Sequence, residues 1–423
     1  MRLRVTFGLI ALLLAAACAG RQETIPPPPP QPTAPLTTAP PSLLPETRPR
    51  ADPARVGLLL PLTGPGAGLG ADMLDAAQLA LFDVGPSDLE LLVRDTGDQP
   101  DKAQQAARSA LGEGAEVLLG PLYGRSATAV APLAVPAGIA VISFSNDAGI
   151  ARPGLYALGF RPEEQVERVV RFAAAQGRTR FAVIAPDDVF GTRAIDAWRR
   201  AIASVPGATA EIAVRFPADS ELPRAEVREI AAFGRPGGLP PEAPPVEGSE
   251  PAAVATPPLL PPPGFDALLI ADGGERARAI AGLLAFYGIT PANVAVLGTM
   301  RWQDDPGILA DPVLEGALLA ARPPDAYAQF DRRFADVYGR SPAPLAVLAY
   351  DATALVALLA RTEPSFTPAQ LTDPQGYLGG AGIFRLRPDG LAEHGLALAE
   401  ITAGGLRVVD PALRSFAAPM AAL

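Results

Sequence analysis

Residues 55–95, RVGLLLPLTGPGAGLGADMLDAAQLALFDVGPSDLELLVRD, contain one complete strand–helix–strand repeat. Val56–Leu60 and Leu89–Val93 are short and almost continuously apolar, which is typical of strands buried on both faces of a sheet. Between them, Asp72–Phe82 has the spacing of an amphipathic helix. Because parallel strands need a crossover of this length, the stretch predicts a parallel sheet covered by helices.

The same alternation continues along the chain and restarts after Phe160, which predicts two α/β lobes and not one continuous sheet. Further strands are predicted at Glu116–Leu119, Ile139–Ser143, Arg180–Ala185, Ala208–Phe216, Phe265–Ala271 and Asn293–Gly298. Further helices are predicted at Asp101–Leu111, Ser126–Leu133, from Arg161 onward, and at Arg193–Ala203, Asp219–Ala232 and Glu275–Phe286.

The N-terminal segment differs in composition from the rest. Residues 1–17 combine Arg2 and Arg4 with an apolar run that is short for a membrane span, which predicts a secretory signal. A buried N-terminal helix is the alternative. Residues 18–54 contain the pentaproline run Pro26–Pro30 and predict an extended tether, with a tail that has no role as the alternative.

Cys18 is the single cysteine, and Leu14-Ala15-Ala16-Ala17-Cys18 resembles a bacterial lipobox. The resemblance implies that Cys18 is acylated and anchors the chain to a membrane. Ala19 follows it where an inner-membrane protein would carry aspartate, which implies the outer membrane. The alternative is an ordinary export signal with an incidental cysteine.

Composition excludes several classes of function. One cysteine and one histidine, His394, leave no basis for a disulfide framework, and we expect neither a metal site nor a cofactor. The net charge of −10 argues against a nucleic-acid partner. The acidic pairs Asp187-Asp188 and Asp304-Asp305 are expected in solvated loops, so we predict no catalytic residues and no enzymatic activity.

Several motifs, taken in order, resemble the type I periplasmic binding proteins, in particular the branched-chain amino-acid-binding group. They are Val56–Gly64, Asp95–Ala103, Leu119–Ala127, Ile142–Asp147, Asp188–Gly191 and Ala349–Ala352. The resemblance implies two α/β lobes joined by three crossings, with a ligand cleft between them. Lobe 1 would comprise 55–160 plus 321–383. Lobe 2 would comprise 161–320 plus 384–423, interrupted by a Pro/Gly-rich insertion, 235–264, that is either a mobile surface segment or a partner-binding loop.

Six residues match ligand-side positions of that family: Tyr123, Ser126, Ser145, Asn146, Asp147 and Phe190. Ser126 and Ser145 would hold an amino acid's carboxylate and ammonium groups, and Tyr123 or Phe190 would supply an aromatic wall. Ser126 could instead be only a helix N-cap. Asp147 stands where the family more often has threonine, which favours a cationic ligand. In the second lobe, Gly298–Arg301 occupies the stretch where the family places an acid for the ammonium group.

Two functions fit these features. The lipobox, the tether and the altered cleft residues favour a periplasmic lipoprotein, anchored at the outer membrane, that activates a peptidoglycan synthase, as penicillin-binding protein activators do. The alternative is a receptor that binds an amino-acid-like small molecule and delivers it to an ABC permease. Fold cannot separate the two.

Overall fold

The computed structural model of the protein describes residues 52–84, 89–240, 260–362 and 365–416. All of them belong to one compact unit, Glu46–Leu423. The predicted signal, Cys18 and nearly all of the tether lie outside the described residues, as does the centre of the predicted insertion, 241–259.

Within the residues that the structure describes, fifteen strands form three sheets. They are β1 (Ala54–Leu60), β2 (Leu89–Asp95), β3 (Val117–Leu119), β4 (Ala140–Ser143), β5 (Leu155–Ala157), β6 (Arg180–Pro186), β7 (Thr209–Phe216), β8 (Ala267–Ile270), β9 (Ala295–Gly298), β10 (Leu318–Ala321), β11 (Tyr377–Gly379), β12 (Gly382–Leu386), β13 (Ala392–His394), β14 (Ala397–Thr402) and β15 (Gly405–Asp410).

Eleven α-helices accompany them in the described part of the chain. They are α1 (Ala67–Val84), α2 (Pro100–Gly112), α3 (Gly124–Ala134), α4 (Pro162–Ala175), α5 (Val189–Ala203), α6 (Arg224–Ala232), α7 (Gly274–Phe286), α8 (Pro306–Leu309), α9 (Pro324–Tyr338), α10 (Val347–Thr362) and α11 (Pro368–Leu371).

The first sheet is entirely parallel, in the order β2-β1-β3-β4-β5. Its strands are apolar on both faces because helices cover both. Along β1, Val56, Leu58 and Leu60 enter the core shared with α1 and α10, whereas Leu59 enters the core shared with α2 and α3. This arrangement confirms the helix-covered parallel sheet predicted from the almost continuously apolar strands and the helices between them.

The second sheet has the order β15-β14-β10-β9-β8-β6-β7. Its strands β10, β9, β8, β6 and β7 are parallel, and the edge hairpin β14–β15 is antiparallel to β10. Phe181 and Val183 of β6 face the core formed with α4 and α5, and Ala182 and Ile184 face the core formed with α6 and α7. The chain therefore has the two α/β layers expected of a two-lobed fold.

The third sheet, β11-β12-β13, is small and antiparallel. It lies next to α10, whose buried Asp351 accepts hydrogen bonds from the backbone N–H of Gly380 at 2.6 Å and of Ala381 at 3.3 Å. Within the described residues, one helical stretch, Pro344–Arg361, is long and apolar enough to cross a membrane by length and composition alone. Because 67% of it is buried inside the protein, it packs as a core helix does.

Most predicted elements recur with boundaries shifted by a few residues, and one expectation was wrong. The segment from Asp219 is not helical until α6 begins at Arg224, directly after Pro223, which cannot donate a backbone hydrogen bond. The glycine-rich stretch of residues 64–70 enters α1 at Ala67. Its Gly70 lies so close to the Pro61 carbonyl that a Cβ would approach the oxygen to 2.2 Å, so close backbone packing explains this glycine.

The described ends of the predicted insertion meet at one point. The backbone N–H of Gly264 donates to the Phe233 carbonyl at 2.8 Å, and a Cβ on Gly234 would lie 2.3 Å from the Gly264 Cα. Arg235 is buried beside this contact and donates to the Tyr287 carbonyl at 2.8 Å. The segment between these ends therefore leaves and rejoins the second lobe at the same place.

Candidate functional site

The carboxyl ends of the first-sheet strands face a cavity of about 570 Å³. Ligands of open parallel sheets lie at this edge. Four predicted residues line the cavity: Tyr123, Ser145, Asn146 and Asp147. The remaining lining residues are Leu69, Leu122, Gly124, Arg125, Phe144, Gly159, Phe160, Val189, Arg193, Leu345 and Leu348. We call this space the first-lobe cavity.

A second cavity of about 270 Å³ adjoins it and shares Asn146, Phe160 and Leu345 as lining residues. It is further lined by Pro162, Gln165, Phe190, Met300, Arg301, Asp304 and Arg322. We call this space the second-lobe cavity. Because the two cavities have walls in common, they form adjoining halves of one cleft, and Phe190 lies in the second half.

Ser145 and Asp147 meet at the start of α3. A Cβ on Gly124, the first residue of α3, would lie 3.1 Å from the Ser145 hydroxyl and 3.3 Å from the Asp147 Oδ2 atom. The Ser145 hydroxyl accepts a hydrogen bond from the Asp147 N–H at 3.1 Å, and Asp147 Oδ1 accepts one from the Gly149 N–H at 2.9 Å. A hydroxyl and a carboxylate oxygen thus stand together on the first-lobe wall, where they can accept hydrogen bonds from a ligand.

Ser126 does not line either cavity among the described residues. It is the third residue of α3, and its side chain is fully buried with a hydroxyl that has no hydrogen-bond partner there. The prediction that Ser126 begins the helix was wrong, because Tyr123 occupies the N-cap position. The Ser126 hydroxyl is therefore not the helix N-cap that was the alternative expectation for this residue.

Tyr123 is held from two sides. A Cβ on Gly66 would lie 2.6 Å from the Tyr123 hydroxyl, so the glycine makes room for it. The Arg125 guanidinium lies 5.5 Å from the Tyr123 ring centroid and donates to the Asp98 carbonyl at 2.6 Å. The aromatic wall predicted from the sequence is therefore fixed in place by an arginine that is itself hydrogen-bonded.

An arginine on an aromatic ring forms one side of the second-lobe cavity. The Arg301 guanidinium lies 4.9 Å from the Phe190 ring centroid, and its side chain is half exposed. Its nearest carboxylate, Asp272, is 3.7 Å away and is also paired with Arg276. Arg301 therefore presents a cation to the cleft that no closely bonded carboxylate neutralises.

The opposite side of the same cavity contains a buried arginine. Arg322 is only 1% exposed, is paired with Asp304, and stacks on the Tyr327 ring with 4.1 Å between its guanidinium carbon and the ring centroid. Its Nε atom has no hydrogen-bond partner among the described residues. Gln303 fixes the backbone of Arg322 by accepting from its N–H at 2.9 Å and donating to its carbonyl at 3.2 Å.

Arg193 links the two lobes at the cleft. Arg193 of α5 binds both carboxylate oxygens of Glu163, at 2.7 and 2.9 Å, and donates to the Asn146 carbonyl at 2.6 Å. Burial opposes ionisation of Glu163, but its hydrogen bonds with Arg193 outweigh that effect and hold the pKa of its carboxyl below the ordinary value. The link is therefore charged near neutral pH.

The remaining titratable residues singled out from the sequence have structural partners. His394 is buried outside both cavities, with its Nδ1 atom 3.2 Å from a Glu164 oxygen. Asp188 and Asp305 cap α5 and α8. Asp187 lies near Arg215 at 3.4 Å. Of the two acidic pairs, only Asp304 lines the cleft, and it does so bound to Arg322. No cluster of three or more metal-ligating side chains occurs in the described segments.

The sequence pattern did not indicate that Arg193 or Arg322 lies at the cleft. Arg301 stood out only because it lies in a stretch that departs from the family pattern. One signal was available for Arg301, because it follows a predicted strand end closely. Arg322 also follows a strand end, but its burial depends on Asp304 and Tyr327, whose positions the sequence pattern does not give.

Comparison with known proteins gives a consistent result over most of the chain. A family model described as periplasmic binding protein matches residues 53–405. A curated relative, an uncharacterised protein of Rickettsia prowazekii (strain Madrid E), is 25% identical over 117 residues. That match covers 28% of this chain and 31% of the relative, so the chain spans about a third of the length of the curated relative it matches.

Solved structures resemble the chain over most of its length. A proposed branched-chain amino acid ABC transporter from Rhodospirillum rubrum has a TM-score of 0.70 at 20% identity, covering 84% of this chain and 100% of that one. The substrate-binding protein LivJ of Streptococcus pneumoniae, in complex with isoleucine, has a TM-score of 0.56 at 16% identity, with coverages of 85% and 100%. A solute-binding protein of R. palustris, in complex with 4-hydroxybenzoate, has a TM-score of 0.57 at 16% identity, with coverages of 85% and 96%. At these identities the likeness establishes the fold.

Proposed function

We propose that this chain, which belongs to the periplasmic binding protein family, is the substrate-binding receptor of an ABC transporter and holds a small organic molecule in the cleft between its lobes. It binds that molecule without altering it chemically. The observation that carries the proposal is the cleft itself, in which predicted ligand-side residues line a cavity of about 570 Å³ at the carboxyl ends of parallel strands.

The composition of the cleft supports a small, partly apolar ligand. Both halves combine aromatic or aliphatic walls, such as Phe160, Phe190 and Leu345, with a few polar groups that can fix orientation. The volume of the first-lobe cavity lies within the range of about 300–1,000 Å³ that is usual for ligand pockets.

The proposal includes the lobe division predicted from the sequence, 55–160 plus 321–383 and 161–320 plus 384–423. Packing of α9 and α10 on α1 supports the placement of the first boundary pair. Pairing of β14 with β10 supports the assignment of the C-terminal strands to the second lobe. Ligand binding between units of this kind brings them together, so closure can serve as a second readout of binding.

Binding should be measured by isothermal titration against isoleucine, leucine, 4-hydroxybenzoate and peptidoglycan peptides. We expect a one-site curve for at least one small molecule, weakened by Phe190→Ala and Ser145→Ala because both residues line the cleft. Ser126→Ala is the matched control for Ser145→Ala, since Ser126 is buried nearby but lines neither cavity.

Two results would count against the receptor proposal. One is the absence of binding across the whole panel together with recovery of a peptidoglycan synthase in a pull-down. The other is ligand binding that Phe190→Ala and Ser145→Ala leave unchanged, which would place the ligand outside this cleft. Weakening by Ser126→Ala alone would shift the site toward the start of α3.

The proposal also places the chain in the periplasm, attached to a membrane through an acylated Cys18 and extended away from it by the proline-rich tether. The lipobox-like stretch Leu14–Cys18 supports the anchor. Mass spectrometry of the mature N-terminus tests this directly. An unmodified N-terminus, or a mature chain that retains residues before Cys18, would contradict it.

A second candidate function is activation of a peptidoglycan synthase, as in the penicillin-binding protein activators. It is supported by the predicted outer-membrane anchor, because direct delivery to an inner-membrane permease is difficult from there. The 235–264 insertion is then the proposed contact with the synthase. Its ends meet at Gly234 and Gly264, so removing residues between them should leave the second lobe intact.

Deletion of residues 241–259, which keeps Leu239 and Leu260 packed against the second-lobe core, separates the two functions. An activator should lose stimulation of the synthase while its thermal unfolding stays unchanged. A receptor should keep its ligand affinity in the same variant. If the deletion variant stimulates the synthase as well as the parent does, the insertion is not the contact.

A further inference from the structure

We infer that the second-lobe half of the cleft is an anion subsite, and that the ligand is an organic acid that carries a carboxylate but no ammonium group beside it. The inference rests on the receptor function proposed above and goes beyond it by naming the chemical class of the ligand. It follows from the charges that the structure places around the second-lobe cavity.

Two cations and one carboxylate line this half of the cleft. Arg301 and Arg322 are the cations, and the carboxylate, Asp304, is bound to Arg322. The other cation, Arg301, has Asp272 at 3.7 Å, and Arg276 shares that carboxylate, so three charged groups carry a net positive charge there. A ligand carboxylate would supply Arg301 with a closer acceptor.

The orientations of the two arginines suit a planar anion. Arg301 lies on the Phe190 ring with its guanidinium 4.9 Å from the centroid and is half exposed, so it is accessible and its position is defined. Arg322 is 1% exposed and its Nε atom has no hydrogen-bond partner among the described residues. A buried donor without an acceptor, on the wall of a cavity, indicates a group that the ligand provides.

The same geometry disfavours an amino acid in the usual orientation. In an amino acid the α-ammonium group is attached next to the carboxylate, so a ligand carboxylate bound to Arg301 would bring the ammonium group close to Arg301 as well. The carboxylates that could neutralise it are both engaged: Asp304 with Arg322, and the 1% exposed Asp272 with Arg276. Like charges at this distance in a partly desolvated cleft weaken binding.

The first-lobe wall selects for the other end of the ligand. Asp147 Oδ2 and the Ser145 hydroxyl stand on that wall and can accept hydrogen bonds. A hydroxyl on the ligand would donate to the Asp147 carboxylate and accept from the Ser145 hydroxyl without adding charge. The apolar residues common to both halves, Phe160 and Leu345, would contact the body of the ligand between these ends.

Three compounds with the same 4-hydroxyphenyl ring separate the possibilities. They are 3-(4-hydroxyphenyl)propionate, an anion; L-tyrosine, the same skeleton with an α-ammonium group; and tyramine, a cation without the carboxylate. The full-length protein in detergent should bind the propionate, with tyrosine weaker by about tenfold or more and tyramine weakest.

The variant Arg301→Gln should weaken binding of the propionate by about 10- to 100-fold, because it removes a charge-assisted hydrogen bond. It should reduce the difference in affinity between the propionate and tyrosine, because the repulsion between Arg301 and the α-ammonium group also disappears. The propionate affinity of Arg301→Lys should lie between those of the wild type and Arg301→Gln, because lysine keeps the charge but loses the planar guanidinium with its paired donors. Arg199→Gln, an exposed arginine on α5, is the matched control and should change nothing.

The outcomes distinguish this inference from the receptor proposal. Tyrosine binding at least as tightly as the propionate, or tyramine binding best, would leave the receptor proposal standing and overturn the anion subsite. Propionate affinity that is unchanged in Arg301→Gln would also overturn it. If none of the three compounds binds, the inference of an anion subsite is wrong. Titration with isoleucine and leucine then tests the receptor proposal by itself.

Discussion

Asp351 makes the stability of the protein depend on pH in a range where most carboxylates do not titrate. Burial raises the pKa of Asp351 to about 7 from its ordinary value of 3.8, against the lowering effect of hydrogen bonds from the Gly380 and Ala381 N–H groups. A carboxyl with a raised pKa in the folded state stabilises that state most when protonated. Its contribution is complete below pH 4 and is lost as the pH rises through 7.

The magnitude follows from the two pKa values. Each pKa unit corresponds to about 1.4 kcal/mol, so the full effect is about 4 kcal/mol, of which about 3 kcal/mol falls between pH 5 and pH 8. Glu163 and Glu113 have pKa values lowered from 4.5, so both are largely ionised over this range in the folded and the unfolded state and contribute little slope. The window therefore isolates groups that titrate near neutrality.

The perturbation is Asp351→Asn, measured by equilibrium denaturation at pH 5 and pH 8. The wild type should lose about 3 kcal/mol more than the variant over this interval. Asp196→Asn, an exposed aspartate on α5, should keep the wild-type profile. Equal pH dependence in the wild type and in Asp351→Asn would refute the reasoning.

Two further predictions concern packing and the contact between the lobes. Gly191→Ala should destabilise the protein by about 1–3 kcal/mol, because its Cβ would lie 1.9 Å from the Pro186 carbonyl oxygen. Gly282→Ala, in α7 with open space around it, should stabilise the protein by up to about 1 kcal/mol. Chemical denaturation measures both changes, and equal effects of the two substitutions would show that Gly191 is not needed to avoid a clash. Arg193→Ala should shift the protein toward an open cleft by about 1–3 kcal/mol, because it removes the bond to the Asn146 carbonyl. Small-angle scattering should detect a larger radius of gyration than in Arg199→Ala, and identical scattering of the two variants would contradict the assignment.

The fold was largely predictable because a strand buried on both faces leaves a continuous apolar run. Val56–Leu60 and Arg180–Ala185 are such runs, and both appear as central strands. The short β11 of the third sheet was not predictable, because its pairing depends on a turn tied to Asp351 from a distant helix. Local patterns do not contain information of that kind.

The site was predictable on its first-lobe wall and much less on its second. Tyr123, Ser145 and Asp147 follow strand ends closely, and position in the chain alone places them at the cleft. Arginines are normally read as surface residues, and nothing local marks Arg322 as buried. Its environment combines an aspartate from before β10 with a tyrosine from α9, so only the folded chain brings them together.

The contacts between the lobes include buried ones near the crossings and an exposed one at the cleft. Near the crossings, Gln303 accepts from the N–H of the buried Arg322 at 2.9 Å, and the N–H of the buried Ala157 donates to the Gly390 carbonyl at 2.8 Å. At the cleft, the bond from Arg193 to the Asn146 carbonyl is exposed to solvent. Breaking buried hydrogen bonds costs more than exchanging an exposed one for water. The crossings should therefore act as a fixed pivot while the cleft opens at the Arg193 end. A ligand that fills both halves of the cleft would add contacts to both lobes at that end, so its binding energy would act directly on the weakest point of the closed form.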